Sequence, residues 1–206
     1  MLYRGQDLVK KLGSKLIVVC GGGALGSNLI ENLARQGFSN LRVIDMDRVE
    51  EHNLNTQTFD VSDIGAKKTA AIQNRIYRAV GVDVDAVDKE MTSGNIKKFL
   101  KGAGLVVDVF DNTKSRQMIQ DYVRKNDIPC LHAGVNADYG EVVWDDRYTV
   151  PNANQEGDVC DYPLARNLSM FIVMITSEEI INFCMDEGVR VSHSFTLKDL
   201  KIGSYQ

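Results

Sequence analysis

Leu16-Ile17-Val18-Val19-Cys20-Gly21-Gly22-Gly23-Ala24-Leu25-Gly26 is a short apolar run that breaks into glycines and resumes as a helix-forming segment. Five consecutive apolar residues read as a strand buried on both faces, because a half-exposed strand would alternate. Ala24 to Gln36 then places Leu25, Leu29, Ile30 and Leu33 on one helical face, with Gly37 just past its end. Gly21, Gly23 and Gly26 fit G-x-G-x-x-G between that strand and that helix. In this setting the first glycine permits the sharp turn and the second lets backbone approach a phosphate. The third lets the helix pack on the strand. Free amides at the helix N-terminus add a partial positive charge. Asp45, 19 residues after Gly26, closes the next strand, where two carboxylate oxygens suit two ribose hydroxyls. The pattern points to an adenine nucleotide and does not separate NAD from ATP.

Outward from this unit, strands and helices keep alternating, the signature of a parallel sheet wrapped by helices. Leu41 to Ile44 is the second strand, and Ala66 to Val80 the next helix. Val82 to Val87, Leu105 to Val109 and Ile128 to His132 read as further strands, with helices at Ile96 to Lys101 and Lys114 to Lys125. Glu141 to Trp144 follows a short turn-rich segment and is expected to be antiparallel. After a loop around Pro151 to Asn154, a long helix is expected over Leu164 to Met185, and the alternating tail Val191 to Leu200 as an edge strand. The fold expected is Rossmann-like and doubly wound: a mostly parallel sheet with antiparallel C-terminal strands, in one domain over residues 1–206. The polar stretch Asp47 to Asp60 has no clear period, and a loop of that length in a compact domain is more often functional than idle.

Composition narrows the function. Hydrophobic residues at 44% and charged residues at 25% suit a folded domain. A net charge of −4 argues against nucleic acid as the main partner and gives no pull towards an anionic membrane. Leu16 to Cys20 is too short for a secretory leader and Met170 to Ile175 too short for a membrane span. Cys20, Cys130, Cys160 and Cys184 form no C-x-x-C pair, which suits reduced thiols in the cytoplasm.

Several further blocks carry a resemblance. These are Asp45-Met46-Asp47-Arg48-Val49, Asn53-Leu54-Asn55-Thr56-Gln57, Asp63-Ile64-Gly65-Ala66-Lys67-Lys68, and Asp108-Val109-Phe110-Asp111-Asn112 with Arg116 four residues on. In order and spacing, from about Lys15 to Val143, they resemble the ThiF/MoeB family and the adenylation domains of ubiquitin-activating enzymes. The resemblance implies an ATP-dependent adenylyltransferase that activates a carboxylate as an acyl-adenylate. The substrate it implies is the C-terminal glycine of a ubiquitin-like or sulfur-carrier protein. Lys68 aligns with the family lysine at the α- and β-phosphates, and Asp111 with the ligand of Mg²⁺. Asn53, Gln57 and Asn112 would line the phosphate and metal region, and Asp47 the ribose end. Relatives pair their adenylation domains, so a homodimer or heterodimer is expected.

Each residue also has a plainer reading. Lys67 could be the reaching lysine instead of Lys68, and Asp111-Asn112 could be a helix N-cap. Arg116 could pair with Asp121 on the surface. Cys160, between Asp158 and Asp161, reads as structural because those carboxylates disfavour a thiolate, and Cys20 and Cys130 read as packing residues. His52 and His132 could touch the site, but neither has a spacing that demands it, and His193 reads as an edge-strand side chain. The sequence departs from the family at Thr56, where relatives carry Arg before the glutamine. Arg4 is the residue available for an N-terminal arginine, and the zinc-binding cysteine pairs are absent. These departures keep open a non-catalytic nucleotide-binding subunit, with an NAD-dependent oxidoreductase behind it.

Overall fold

A computed structural model describes residues 6–151, 165–185 and 189–205. One eight-stranded sheet runs through it in the order β3-β2-β1-β4-β5-β6-β7-β8. At its centre, β1 (Leu16–Cys20) pairs parallel with β2 (Leu41–Asp45) on one side and β4 (Ala103–Asp108) on the other. β3 (Asp85–Asp88) joins β2 and β5 (Cys130–Asn136) joins β4, both parallel. β6 (Tyr139–Trp144), β7 (Ser192–Thr196) and β8 (Lys201–Tyr205) complete the sheet antiparallel.

The unbroken apolar runs are explained by cover on both faces. Side chains of a strand alternate between faces, and here both directions lead into a core. Ile17 and Val19 of β1 enter one cluster with Leu29, Leu33, Ile72 and Ile172, while Val18 and Cys20 enter a second with Ile96, Ile119 and Val123. The first face is covered by α1 (Gln6–Ser14), α2 (Ala24–Gln36), α3 (Lys68–Val80) and α6 (Ala165–Met185). The second is covered by α4 (Ile96–Phe99) and α5 (Thr113–Lys125). Each fully buried valine or isoleucine contributes on the order of 1.5–3 kcal/mol relative to exposure.

α2 matches its expected bounds, and Gly37 ends it in the left-handed region at φ 109°, where a Cβ would be strained. The stretch Asp47 to Asp60 holds a 3₁₀ turn at Glu51–Asn55, and a second follows at Val61–Asp63. Four expectations are corrected. The third strand begins at Asp85 rather than Val82, because its neighbour β2 offers pairing only from Arg42 onward, opposite Asp85. β5 runs on to Asn136, since the antiparallel return of β6 pairs it as far as Asn136 with Tyr139. The tail is a hairpin, so β7 is an inner strand and β8 the edge; β8 escaped notice because most of it is exposed and its alternation is weak. α1 was not expected at all. The described part of the long helix starts at Ala165; Leu164 lies outside the described residues. Its Arg166–Met185 segment is long and apolar enough to cross a membrane by composition, and half of it is buried inside this fold.

Candidate functional site at the carboxyl ends of β1, β2 and β4

Strand order reverses direction at β1, whose neighbours β2 and β4 are reached by crossovers to opposite sides. In open α/β sheets the crevice outside the carboxyl ends at such a point is where ligands bind. The expected residues Gly21, Asp45 and Asp111 belong to the three segments that leave β1, β2 and β4 there.

The glycine loop has a distinct reason at each position. Gly21 sits at φ 113°, and a Cβ there would meet the Val109 carbonyl oxygen at 3.1 Å. A Cβ on Gly26 would fall 1.9 Å from the Gly21 oxygen, so strand and helix meet only through a glycine. A Cβ on Gly23 would meet nothing within 4 Å. Gly23 is also the residue before α2, and no side chain caps that helix start. The first amides of α2 thus have no side-chain cap, the arrangement that receives an anion.

Asp45 is buried and does more than was read for it. Its Oδ2 accepts the Gly22 N–H and its Oδ1 the Asp47 N–H, both at 2.7 Å. Burial holds this carboxyl above the ordinary carboxylate range, against the two amide bonds that pull it down. Asp47, half exposed, pairs with Lys68 Nζ at 3.1 Å. The question of which lysine turns inward is decided by geometry: the Lys68 side chain is only 10% exposed, whereas Lys67 points to Asp88 at 3.1 Å at the end of β3.

The cap of α5 is Asn112, which accepts the Ser115 N–H at 2.9 Å. Asp111 is exposed and free of that duty. Asn53 is buried, and its Oδ1 accepts the Glu50 N–H at 2.9 Å, so this oxygen caps the 3₁₀ turn. Gln57 has a buried Oε1 with no hydrogen-bond partner among the described residues. It lines a cavity of about 540 Å³ against α2, bounded also by Asn28, Asn32, Asn55 and Arg166. None of Gly21, Gly23, Gly26, Asp45, Lys68 or Asp111 lines that cavity, so it flanks the crevice over the glycine loop and does not coincide with it. The loop bearing Thr56 is anchored to α2 by the Asn28 Nδ2, which donates to the Thr56 carbonyl at 2.7 Å.

Arg116 and Lys67, two cations that could stand in for the arginine missing at Thr56, are engaged elsewhere. Arg116 is 11% exposed and does not meet Asp121, whose Oδ1 accepts from Gln117. It donates to the Tyr148 hydroxyl at 3.0 Å and the Ala133 carbonyl at 2.8 Å, beside Asp108 at 3.7 Å. Its charge is favoured by Asp108 despite burial. Lys67 is held by Asp88. His132 is fully buried between Asp108 and Asp145, a pairing that the sequence does not signal. Asp145 is more than thirty residues from Asp108, and no local spacing signals that pairing. His52 is exposed beside Glu50, and His193 bonds Glu179 at 3.0 Å from an inner strand, not an edge. Cys20, Cys130 and Cys184 are buried and form no disulfide among the described residues, and burial pushes Cys20 and Cys130 well above the ordinary thiol range. Arg4 and Cys160 lie outside the described residues. No group of three metal-ligating side chains occurs among the described residues.

The ThiF family matches residues 2–158. The chain is 34% identical over 141 residues to the sulfur carrier protein ThiS adenylyltransferase of Bacillus subtilis, covering 66% of this chain and 42% of that protein. It is 29% identical over 195 residues to the SAMP-activating enzyme E1 of Haloferax volcanii, covering 89% of this chain and 72% of that one. The chain therefore spans less than half the length of the first of these relatives. Among solved structures, E. coli MccB with ATP superposes with a TM-score of 0.80 at 18% identity, over 97% of this chain and 66% of MccB, which shows a shared fold. With the glycine loop, the acidic strand ends and the matched span in agreement, the chain belongs to the ThiF family.

Proposed function

We propose that this chain is an ATP-dependent adenylyltransferase that activates a carboxylate, the C-terminal glycine of a ubiquitin-like or sulfur-carrier protein, as an acyl-adenylate. One observation carries the reading: the open helix start at Gly23, the Asp45 carboxylate, the inward Lys68 and the uncapped Asp111 all lie at the carboxyl ends of neighbouring strands or on the segments that follow them. The sulfur-carrier and E1-type relatives support the substrate class.

The chemistry suits these residues. A carboxylate oxygen attacks the α-phosphorus, a new P–O bond forms, and the bond to pyrophosphate breaks. Little proton transfer is needed, so positioning and charge neutralisation do most of the work. The α2 amides and Lys68 receive phosphate oxygens. Asp45 and Asp47 hold the ribose end, Asp45 through the lone pairs its two backbone amides leave free. Asn53, Gln57 and Asn112 border the phosphates. The donor set fits Mg²⁺, which favours one or two carboxylates plus phosphate oxygens over an all-protein cage, and Asp111 is the residue that would hold it. When bound, the ion neutralises charge on the departing pyrophosphate. The buried thiols of Cys20 and Cys130 support a reducing, cytoplasmic setting. Pairing with a second adenylation domain, as a homodimer or heterodimer, belongs to the same proposal.

A second reading is favoured by Thr56, which carries no charge where relatives have arginine: the chain binds nucleotide as the non-catalytic half of a heteromeric enzyme. Family membership leaves the oxidoreductase reading without support. The deciding experiment is ATP–pyrophosphate exchange with candidate carrier proteins, alongside thermal unfolding with ATP·Mg²⁺ or NAD⁺. Exchange that Asp111→Ala abolishes supports the enzyme. Stabilisation by ATP·Mg²⁺ without exchange supports the binding subunit, and stabilisation by NAD⁺ alone overturns both.

A further inference from the structure

Asp108 ends β4 fully buried, a position that a carboxylate holds only with partners. Its two oxygens are used differently. Oδ1 accepts the Phe110 N–H at 3.1 Å and so shapes the turn that leads to Asp111. Oδ2 lies 2.9 Å from His132 Nδ1. The other ring nitrogen, Nε2, lies 3.0 Å from Asp145 Oδ1. Ionised carboxylates only accept hydrogen bonds, so a ring facing one on each side is satisfied when both nitrogens carry protons. The imidazole is clamped as well as paired: Tyr148 stacks on it at 3.8 Å between centroids and 11° between planes.

Among the described residues, the charged and titratable groups facing this network come from α5, β1, β5 and β6. From α5, Arg116 approaches Asp108 at 3.7 Å and Arg124 meets Asp145 at 2.9 Å. Arg124 also donates to the Tyr148 carbonyl at 3.0 Å, which fixes the stacking ring. The thiols of Cys20 and Cys130, on β1 and β5, feel the Asp108 charge and are neutral. Glu141, on β6, acts on Arg116 and Tyr148.

We propose that His132, held between Asp108 and Asp145, is a positioning residue for the metal-binding turn: it fixes the Asp108 carboxylate that shapes the chain into Asp111. His132 itself touches no substrate. The inference rests on the nucleotide reading above and adds a residue that neither the sequence motifs nor the family match supplies. Without the imidazole, Asp108 keeps the Phe110 N–H and the more distant Arg116, and its carboxylate is free to turn towards the guanidinium. The Phe110 bond is then lost and Asp111 is no longer held in one place. Groups hydrogen-bonded directly to a metal ligand typically change metal affinity roughly 10–100-fold; His132 reaches Asp111 only through Asp108 and the backbone, so its effect falls at the low end of that range.

The test uses the full chain and the variants His132→Gln and Asp145→Asn, with ATP as ligand. Thermal stabilisation is followed across an Mg²⁺ titration, and in EDTA as the metal-free arm. The expected result is a rise of up to roughly tenfold in the Mg²⁺ midpoint for His132→Gln, a smaller rise for Asp145→Asn, and an unchanged metal-free arm. A variant that melts earlier yet keeps the original Mg²⁺ midpoint shows a mere brace and overturns the inference while leaving the nucleotide reading intact. Absence of any ATP·Mg²⁺ response in the unsubstituted chain overturns both. If His132→Gln does not fold, ¹⁵N NMR of His132 in the unsubstituted chain decides. Two protonated ring nitrogens whose shifts move when Mg²⁺ joins bound ATP support the role, and shifts that stay fixed overturn it.

Discussion

Gly22 donates its backbone N–H to Asp45 Oδ2 at 2.7 Å, so the carboxylate expected at the ribose also ties the glycine loop of β1 to the end of β2. The other oxygen holds the Asp47 N–H at the same distance. Loop and acidic strand end are one unit, built before any nucleotide arrives.

Asp45→Asn tests that unit. An amide has one acceptor oxygen for two backbone donors, so its NH₂ group faces one of them. The buried mismatch costs about 1–3 kcal/mol, and in a chain of this size each kcal/mol lowers the melting temperature by about 2–4 °C. Thermal unfolding without ligand measures it. An unchanged melting point would show that the loop is held by something else.

Gly26→Ala and Gly23→Ala should part company. The first sets a Cβ 1.9 Å from the Gly21 oxygen and forces strand and helix apart, at about 1–3 kcal/mol. The second meets nothing within 4 Å, so it keeps the fold while crowding the space above the helix start. Denaturant melts read the first effect, and ATP titration of the folded Gly23→Ala chain reads the second.

Asp111→Ala and Asn112→Ala separate function from capping. Asn112 accepts the Ser115 N–H, and losing that cap costs about 1 kcal/mol. Asp111 is exposed and caps nothing, so its loss changes apo stability by no more than about 0.5 kcal/mol. It should nonetheless remove the Mg²⁺ dependence of ATP stabilisation. The reverse pattern would move the metal ligand elsewhere.

Thr56→Arg restores the charge that relatives carry. A charge-assisted hydrogen bond to phosphate is worth roughly 1.5–3 kcal/mol, so ATP should bind at least about tenfold tighter. Calorimetry gives the change directly. No gain would mean that the cavity beside Gln57, whose rim includes Arg166, already meets the charge.

The His132 network gives a pH signature. Burial opposes the imidazolium, but hydrogen bonds to Asp108 and Asp145 outweigh it and raise His132 above its ordinary 6.5. That stability is fully present below 6.5 and is lost as pH climbs through the raised value. For Asp145, burial raises and the bonds to His132 and Arg124 lower, leaving it below its ordinary 3.8. Its share is present above 3.8 and lost as pH falls through the lowered value. The gap in melting temperature between the chain and His132→Gln should be widest from 3.8 to 6.5 and shrink above that range. A gap that is flat from 3.8 into the alkaline range would show that no change of charge at His132 contributes to stability there.

The sequence by itself determined the βαβ core, because its information there is local. Leu16 to Cys20 and Leu105 to Val107 have no polar face to show to water, and Gly21, Gly26 and Gly37 stand where backbone or close packing admits nothing larger. The same local signals placed Asp45, Lys68 and Asp111 at strand ends or helix starts. Tertiary structure alone decided the rest. Whether Lys67 or Lys68 turns inward depends on which carboxylate each meets, Asp88 or Asp47. That β7 is inner and β8 the edge depends on a hairpin partner with little apolar pattern of its own. The buried chain from Asp145 through His132 to Asp108 joins residues that only the β4–β5 and β5–β6 pairings bring together. Periodicity and turn chemistry report what a segment does with its own backbone, whereas the partner of a buried charge is set by which strands lie side by side.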